Sequence, residues 1–575
     1  MNKNYPIYKT TFIDDMRSLV EEAAQNFSDS TAISYKENVS DKEVRKVTFA
    51  QWRDDVRNLG TAFIADGLRE EKIAIVGENS YGWCCSFFGV MAVGAVTVPV
   101  DKELPIEDID GIITTTGCKA VVFGKTAEAK IAELLEKGGL ESVQILISVA
   151  PVNNLKAEGK VSVTLEELQK RGAELYKNGD NSYYDYKIDV NKLASIVFTS
   201  GTTGKGKGVM LSQANIGLDM TLGMYNFDIT RKTLHVLPPH HTFGSTVNYV
   251  GHLSQGCEVY ISSGLKHVSD EIREQQPTHL ILVPAFLEVM NRKIWTTARK
   301  TGKEGLLKMM MKVSDCLRKV GIDLRKKLFS SVLSAFGGKL ELVICGGAKL
   351  DEEIIRTFDS LGITILNGYG ITECSPLISA NRNRYRKPGS VGTPILACRV
   401  KIDNPDENGE GEICVKGPNV MLGYYNNPEA TAEVFDKDGF FHTGDYGKLD
   451  EEGWIYITGR KKNLIILSNC KNVYPEEIEA DLQKVEGLCE VVVYAGESKV
   501  QKDKITIVAE IFPDVDLLKD KGITDPQKYF ENQVKLLNAR MPSYKAVKRV
   551  KLRDTKFQKN TSRKITRFSI DKTID

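Results

Sequence analysis

No Cys-x-x-Cys pair occurs in this chain. Its eleven cysteines are scattered, with only Cys84 and Cys85 adjacent, so neither a zinc site nor a disulfide framework is encoded and a reducing compartment fits. Neither sign of charge is in excess: 77 Lys and Arg stand against 76 Asp and Glu, which argues against a nucleic-acid partner. Glycine and proline are modest, at 48 and 18 among 575 residues, and this excludes collagen-like and low-complexity chains. No repeat of fixed period occurs, so solenoids and propellers are excluded as well. The N-terminal MNKNYPIYKTTFIDDM has no apolar stretch of the kind a signal peptide needs and turns acidic instead, so the expected location is the cytoplasm. One uncharged stretch, between Glu78 and Asp101, raises the question of a membrane span. Gly89, Gly94 and Pro99 interrupt it, and it reads as a buried helix ending near Gly94 followed by a buried strand over 95–100.

What is present is a rhythm of short apolar runs and helical patterns. KIAIVG (72–77), VTVPV (96–100), KAVVFG (119–124), VQILISV (143–149) and ELVICGG (341–347) alternate with helices such as 107–115 and 128–137. That alternation predicts an α/β fold with buried, mostly parallel strands. After about residue 400 the chain turns to punctuated strands, GEICVKG (411–417) and GWIYITG (453–459), which predict a β-rich subdomain over about 395–461. Residues 462–575 read as a small α+β domain with its own core, giving a boundary between 1–461 and 462–575. Two basic runs break the neutral total. Arg292 to Lys339 carries 13 Lys and Arg against Glu304, Asp315 and Asp323, and Lys545 to Arg567 carries 10 against Asp554. A solvated face is the plain reading of both; an anionic membrane surface or a polyphosphate is the sharper one.

The most informative segment is LASIVFTSGTTGKGKGVMLS (193–212). A buried strand enters a loop of Ser200, Gly201, Thr202, Thr203, Gly204, Gly206 and Gly208, with Lys205 and Lys207 among them. Glycines let backbone approach an anion, hydroxyls add donors and lysines add charge, so the loop is suited to phosphate. Residues 201–207 also satisfy G-x-x-x-x-G-K, but the P-loop form requires Ser or Thr next and a helix. Here Gly208 and a strand-like 209–211 follow, and a helix cap appears only at Ser212.

Thr199 to Val209 resembles the phosphate loop T-S-G-T-T-G-x-P-K-G-V of the adenylate-forming enzymes, the superfamily of acyl-CoA synthetases, luciferases and peptide-synthetase adenylation domains. Gly206 replaces the proline. The resemblance continues in order along the chain. LPPHHTFG (237–244) is similar to L-P-x-x-H-x-x-G and implies His241 beside the acyl pocket. Gly346, Gly347 and Ala348 resemble the small-residue adenine platform. GYGITECSP (368–376) is similar to x-Y-G-x-T-E, implying Gly368, Tyr369 and Gly370 at adenine, Thr372 at the α-phosphate and Glu373 at magnesium, with Thr202 as the second metal contact. HTGDYG (442–447), which reads as a turn, implies Asp445 at the ribose, with Arg460 of GRKKN beside it. KNTSRKITR (559–567) resembles G-K-I-x-R and implies Lys564 as the cation between acyl carboxylate and phosphate. Lys462 falls at the hinge about which the small domain of such enzymes rotates, and Ser468, Asn469, Cys470 and Lys471 at the pantetheine tunnel. Asn463 and the pair Asn469-Cys470 depart from the Lys-Asp and Gly-Gly usual there, which leaves the thiol half-reaction less marked than adenylation.

The resemblance therefore implies an AMP-forming acid–thiol ligase using ATP, Mg²⁺ and CoA, most like bacterial long-chain fatty acid–CoA ligases. Its catalytic group is Lys564, Glu373, Thr372 and His241; the nucleotide contacts are Thr199, Ser200, Gly201, Thr202, Thr203, Gly204, Lys207 and the residues named above. Helical sequence over 296–340 resembles the insertion of long-chain enzymes. Delivery to an acyl carrier protein is the alternative within the class, and an inactive nucleotide-binding homologue the alternative outside it; Glu373 and Lys564 are both retained. Within 306–320, Leu306, Met310, Val313, Leu317 and Val320 are expected on one apolar face, with Lys308, Lys312, Arg318 and Lys319 making a cationic face; the stripe either packs on the main domain, as in any surface helix, or sits on anionic lipid, peripheral on the inner face of the membrane.

Overall fold

The computed structural model describes residues 8–152, 155, 159–199, 206–229, 231–467, 472–497, 506–559 and 565–574. Two compact units result: Met1–Arg399 with Lys416–Gly439, and Val400–Val415 with Phe440–Asp575. The boundary drawn from sequence cuts the second unit at the 3₁₀ turn Lys461–Asn463.

Among its described residues the first unit carries two large sheets. One is ordered Gly423–Tyr424, Lys207–Ser212, Leu193–Thr199, Val96–Val100, Lys72–Val76, Ala120–Phe123, Ile145–Ser148, Val161–Thr164. Its pairings are parallel except at the first three strands, which run antiparallel. The other runs Thr393–Pro394, Leu377–Ala380, Thr364–Gly370, Leu342–Cys345, His279–Leu282, Lys232–His235, Glu258–Ile261, Thr31–Tyr35, Arg45–Thr48, again with a parallel centre and antiparallel edges. Central strands such as Val96–Val100 and Leu342–Cys345 are buried along their whole length, as expected of parallel strands covered on both faces.

The uncharged stretch resolves as read: helix Tyr81–Met91, then strand Val96–Val100. Trp83 stacks on Phe87 and Tyr249 inside the core. Among the described residues no helix is long and apolar enough to cross a membrane.

The basic segment is helical, with Pro284–Lys300, Glu304–Lys319, Arg325–Leu328 and Ser330–Ser334. Leu287, Ile294, Leu307, Phe329 and Leu333 join the core of the second sheet beside Leu280, Leu282 and Val343. The expected apolar face of helix 304–319 needs correction. Leu307 and Ser314 are the buried positions, with Met310 and Met311 packed against the core, while Leu306, Met309, Val313 and Val320 are exposed, Val320 at 72%. Two apolar rows lie side by side on this helix, and the one containing Leu307 packs.

The second unit holds an antiparallel sheet of Arg399–Asp403, Gly411–Lys416, Phe441–Leu449 and Ile455–Arg460. A further sheet of Leu488–Gly496, Thr506–Pro513 and Arg549–Leu552 is packed by helices Pro475–Leu482 and Pro526–Asn538. Ile478, Leu482, Val493, Ile507, Ala509, Phe530 and Val534 form its core.

Candidate active site

Strands Leu193–Thr199 and Lys207–Ser212 pair antiparallel from Leu193↔Ser212 to Thr199↔Lys207, so the phosphate loop joins the arms of a hairpin. Ser200, Gly201, Thr202, Thr203 and Gly204 lie outside the described residues. The helix begins only after Ser212, whose hydroxyl accepts from the Asn215 N–H at 3.1 Å while Asn215 Oδ1 accepts from the Ser212 N–H at 3.0 Å. A hairpin loop followed by a strand is not the strand–loop–helix of a P-loop. Gly206, where the family motif has proline, fits locally: a Cβ there would sit 2.9 Å from the Thr199 carbonyl oxygen.

In the other sheet, the parallel pairing of Leu342–Cys345 with Thr364–Gly370 stops at Cys345 opposite Asn367, and the second strand runs on to Gly370. Ligands of open α/β sheets bind at such carboxyl ends. Gly346 is buried and Gly347 and Ala348 are exposed. A Cβ on Gly346 would lie 3.4 Å from the Gly368 carbonyl oxygen and 3.5 Å from the Phe243 ring, so the three close one wall. Tyr369 is buried, and Gly370 has no alternative, since a Cβ would meet the Pro376 carbonyl oxygen at 2.1 Å.

The turn Thr372–Cys374 follows. Glu373 Oε1 accepts from the Tyr424 hydroxyl at 3.0 Å, and the Glu373 carbonyl accepts from the Met421 N–H at 2.9 Å. Among the described residues, Glu373 Oε2 and the Thr372 hydroxyl have no protein partner. No cluster of three or more His, Cys, Asp and Glu that could hold a metal occurs among the described residues. One open carboxylate oxygen nevertheless fits magnesium, which is commonly held by one or two carboxylates plus substrate phosphates.

His241 ends a turn, its carbonyl accepting from the Gly244 and Ser245 N–H groups at 2.8 and 2.9 Å, and leads into the π-helix Phe243–Gly251. Its ring lies 4.3 Å from that of His240, whose Nε2 is 3.6 Å from Asp101 Oδ2. Burial, with Lys102 adding to it, pushes the His240 pKa down to about 4, so His240 meets Asp101 as a neutral ring.

In the second unit, Asp445 is not in a turn. It sits in strand Phe441–Leu449 at 3% exposure, opposite Arg460, with Arg460 Nε 2.7 Å from Asp445 Oδ1. The expected neighbours are thus an ion pair across adjacent strands. Lys461 pairs with Glu412 at 2.7 Å and Asn463 donates to Glu476 at 2.5 Å. Lys462 between them is exposed as a residue, yet crowding around its ammonium, followed by the charges of Arg460 and Arg567, pushes its pKa below the ordinary lysine value. Ser468, Asn469, Cys470, Lys471 and Lys564 lie outside the described residues.

Sequence reasoning missed three contributors: Tyr424, His240 with Asp101, and Arg567. The last donates to Glu479 Oε2 at 2.5 Å and to the Val493 carbonyl at 3.1 Å, tying the tail motif to the domain core. The first histidine of HHTF was a legible signal; the others carry none in isolation.

A profile of the AMP-binding enzyme family matches residues 20–425. Long-chain-fatty-acid–CoA ligase 1 of Homo sapiens is 29% identical over 483 residues, covering 80% of this chain and 68% of that protein. The chloroplastic long-chain-fatty-acid–[acyl-carrier-protein] ligase AEE15 of Arabidopsis thaliana is 28% identical over 525 residues, covering 78% and 70%. The fold is shared with the anthranilate CoA ligase AuaEII in complex with anthranoyl-AMP, at a TM-score of 0.75 and 19% identity over 99% of this chain and 98% of that one.

Proposed function

The chain belongs to the AMP-binding enzyme family, and on that footing we propose that it activates a long-chain fatty acid with ATP and transfers the acyl group to CoA. The observation that carries this is the joining, within one compact unit, of the phosphate hairpin and the Thr372–Glu373 turn by the strand Gly423–Tyr424. In the first step a carboxylate oxygen bonds to the α-phosphorus of ATP, the bond to the bridging oxygen breaks, and pyrophosphate leaves. In the second a thiolate adds to the acyl carbonyl and AMP leaves.

Negative charge concentrates at phosphorus in the first step, so stabilisation is mainly electrostatic. Magnesium, when bound, neutralises phosphate charge. Glu373 supplies its carboxylate with Thr202 as the second contact, Thr372 donates to the α-phosphate, and Lys207 and the hydroxyls and amides of 199–204 hold the leaving phosphates. Gly346, Gly347, Ala348 and Gly368 to Gly370 receive the adenine, Asp445 with Arg460 the ribose, and His241 borders the acyl group. Lys564 spans carboxylate and phosphate. Ser468 to Lys471 line the thiol path.

The helical segment 284–334 and the names of the relatives support a long-chain acid. A carrier protein as acceptor is the second reading, favoured by Asn463 and by Asn469-Cys470 in the thiol region. A panel of fatty acids assayed for pyrophosphate release and for CoA consumption tests both. Release matched by CoA consumption supports the first reading; release with no CoA consumed, but with acylation of a carrier protein, supports the second.

Lys462 is assigned to the hinge between half-reactions. Lys462→Pro is expected to slow the thioester step at least ~10-fold more than adenylation, because proline fixes φ where a hinge must change it. Unaltered turnover of the folded variant would remove Lys462 from that role.

An anionic membrane surface is the proposed site of substrate collection. The exposed row Leu306, Met309, Val313 and Val320 supplies apolar contact. Lys312 and Lys319, which have no ion pair among the described residues, supply the charge. Lys308 and Arg318 contribute less, being paired with Glu304 at 2.8 Å and with Asp359 at 2.9 Å. Each free lysine near such a surface is worth roughly 1 kcal/mol, so changing both to Gln should weaken vesicle co-sedimentation by more than about tenfold at low salt. Wild-type protein that ignores anionic vesicles would contradict the assignment.

A further inference from the structure

Tyr424 touches both halves of the phosphate chemistry in the first unit. It lies on a two-residue strand against the hairpin's outgoing arm, Tyr424 opposite Val209, and the flanking Leu422 and Tyr425 N–H groups donate to the Met210 and Gly208 carbonyls at 2.9 and 2.8 Å. Its hydroxyl donates to Glu373 Oε1 at 3.0 Å, and its ring centroid lies 4.7 Å from Lys207 Nζ. The residue is 7% exposed, and its own N–H is fixed by Thr431 Oγ1 at 2.9 Å. Just upstream, Asn419 holds the turn after Glu373: its carbonyl accepts from the Ser375 hydroxyl at 2.8 Å, and its amide donates to the Cys374 and Leu377 carbonyls at 3.3 and 2.7 Å.

We propose that Tyr424 is a positioning residue that makes Glu373 a one-oxygen ligand for the nucleotide's magnesium and holds Lys207 away from that carboxylate. This rests on the adenylation reading above.

A hydrogen bond to an ionised oxygen is strong and directional, so Oε1 is occupied and Oε2 is the oxygen left for a metal. A half-buried lysine and a half-buried glutamate on the same tyrosine could otherwise pair with each other and cancel the charges that phosphate and metal need. The ring face gives the ammonium an alternative seat, well inside the ~6 Å range of cation–π attraction.

The test is calorimetric binding of ATP with magnesium and of ATP in EDTA, with melting temperature followed for each variant. Tyr424→Phe keeps the ring and removes the hydroxyl. It should weaken binding of the magnesium complex about tenfold, the order expected for losing one hydrogen bond to a charged group, and leave metal-free ATP binding within twofold of wild type. Tyr424→Leu removes both features and should weaken metal-free binding as well, because Lys207 loses its seat.

Glu373→Gln with Tyr424→Phe should be no weaker than Glu373→Gln alone, since the tyrosine acts through the carboxylate. Equal losses with and without metal in Tyr424→Phe, or additive losses in the double variant, would reduce Tyr424 to a packing residue and overturn the proposal. If the wild type binds ATP under neither condition, the adenylation reading itself fails. If it binds and Tyr424→Phe is indistinguishable from it, only the role of Tyr424 fails.

Discussion

Lys564→Ala is expected to lower acyl-adenylate formation by about 10²- to 10³-fold while leaving thioester formation from supplied acyl-adenylate near wild type. One preorganised cation at a transferring phosphoryl group is typically worth that much, and the second half-reaction has no pentavalent phosphorus to stabilise. The residues flanking Lys564 are well anchored. Lys559 pairs with Glu490 at 2.7 Å and bridges to Ile565, and Arg567 is bound to Glu479 and to the Val493 carbonyl. Single-turnover assays of each half-reaction separate the outcomes, and an equal loss in both would contradict the assignment.

Glu373→Gln is expected to slow pyrophosphate release by about 10²-fold at fixed magnesium. The amide oxygen can still accept from Tyr424, so packing is retained and only the anionic ligand is lost. The informative readout is the magnesium dependence. The variant should need far more metal to reach half its own maximal rate, and an unchanged metal requirement with reduced rate would show that Glu373 acts otherwise.

Much of this was legible in the residues. Parallel strands buried on both faces must be apolar throughout, which is why KIAIVG and VTVPV announce themselves without alternation. The strands on either side of the Gly-, Ser-, Thr- and Lys-rich loop were legible, and Ser212 as a cap placed the helix correctly.

What failed had physical causes. Asp445 lies in a sequence rich in turn formers, HTGDYG, yet pairing with strand Ile455–Arg460 turns it into the middle of a strand, a long-range effect invisible locally. On helix 304–319, Leu306-Met309-Val313 and Leu307-Met310-Met311 are two interleaved rows of similar apolarity. Nothing local chooses between them, and the buried Ser314 disguises the correct one. Tyr424 sits on a strand of two residues, too short for any periodic pattern, and its importance comes from Glu373 and Lys207, 51 residues before it in one case and far more in the other.

The central claim is that this chain joins a fatty acid to AMP before any thiol is involved. Exchange of labelled pyrophosphate into ATP, measured without CoA across acids of increasing chain length, tests it most directly. The account predicts label in ATP only when a fatty acid is present, strongest with long chains and lowered by about 10²- to 10³-fold in Lys564→Ala. Exchange that ignores the acid, or none with any fatty acid from protein that binds ATP and magnesium, would contradict it.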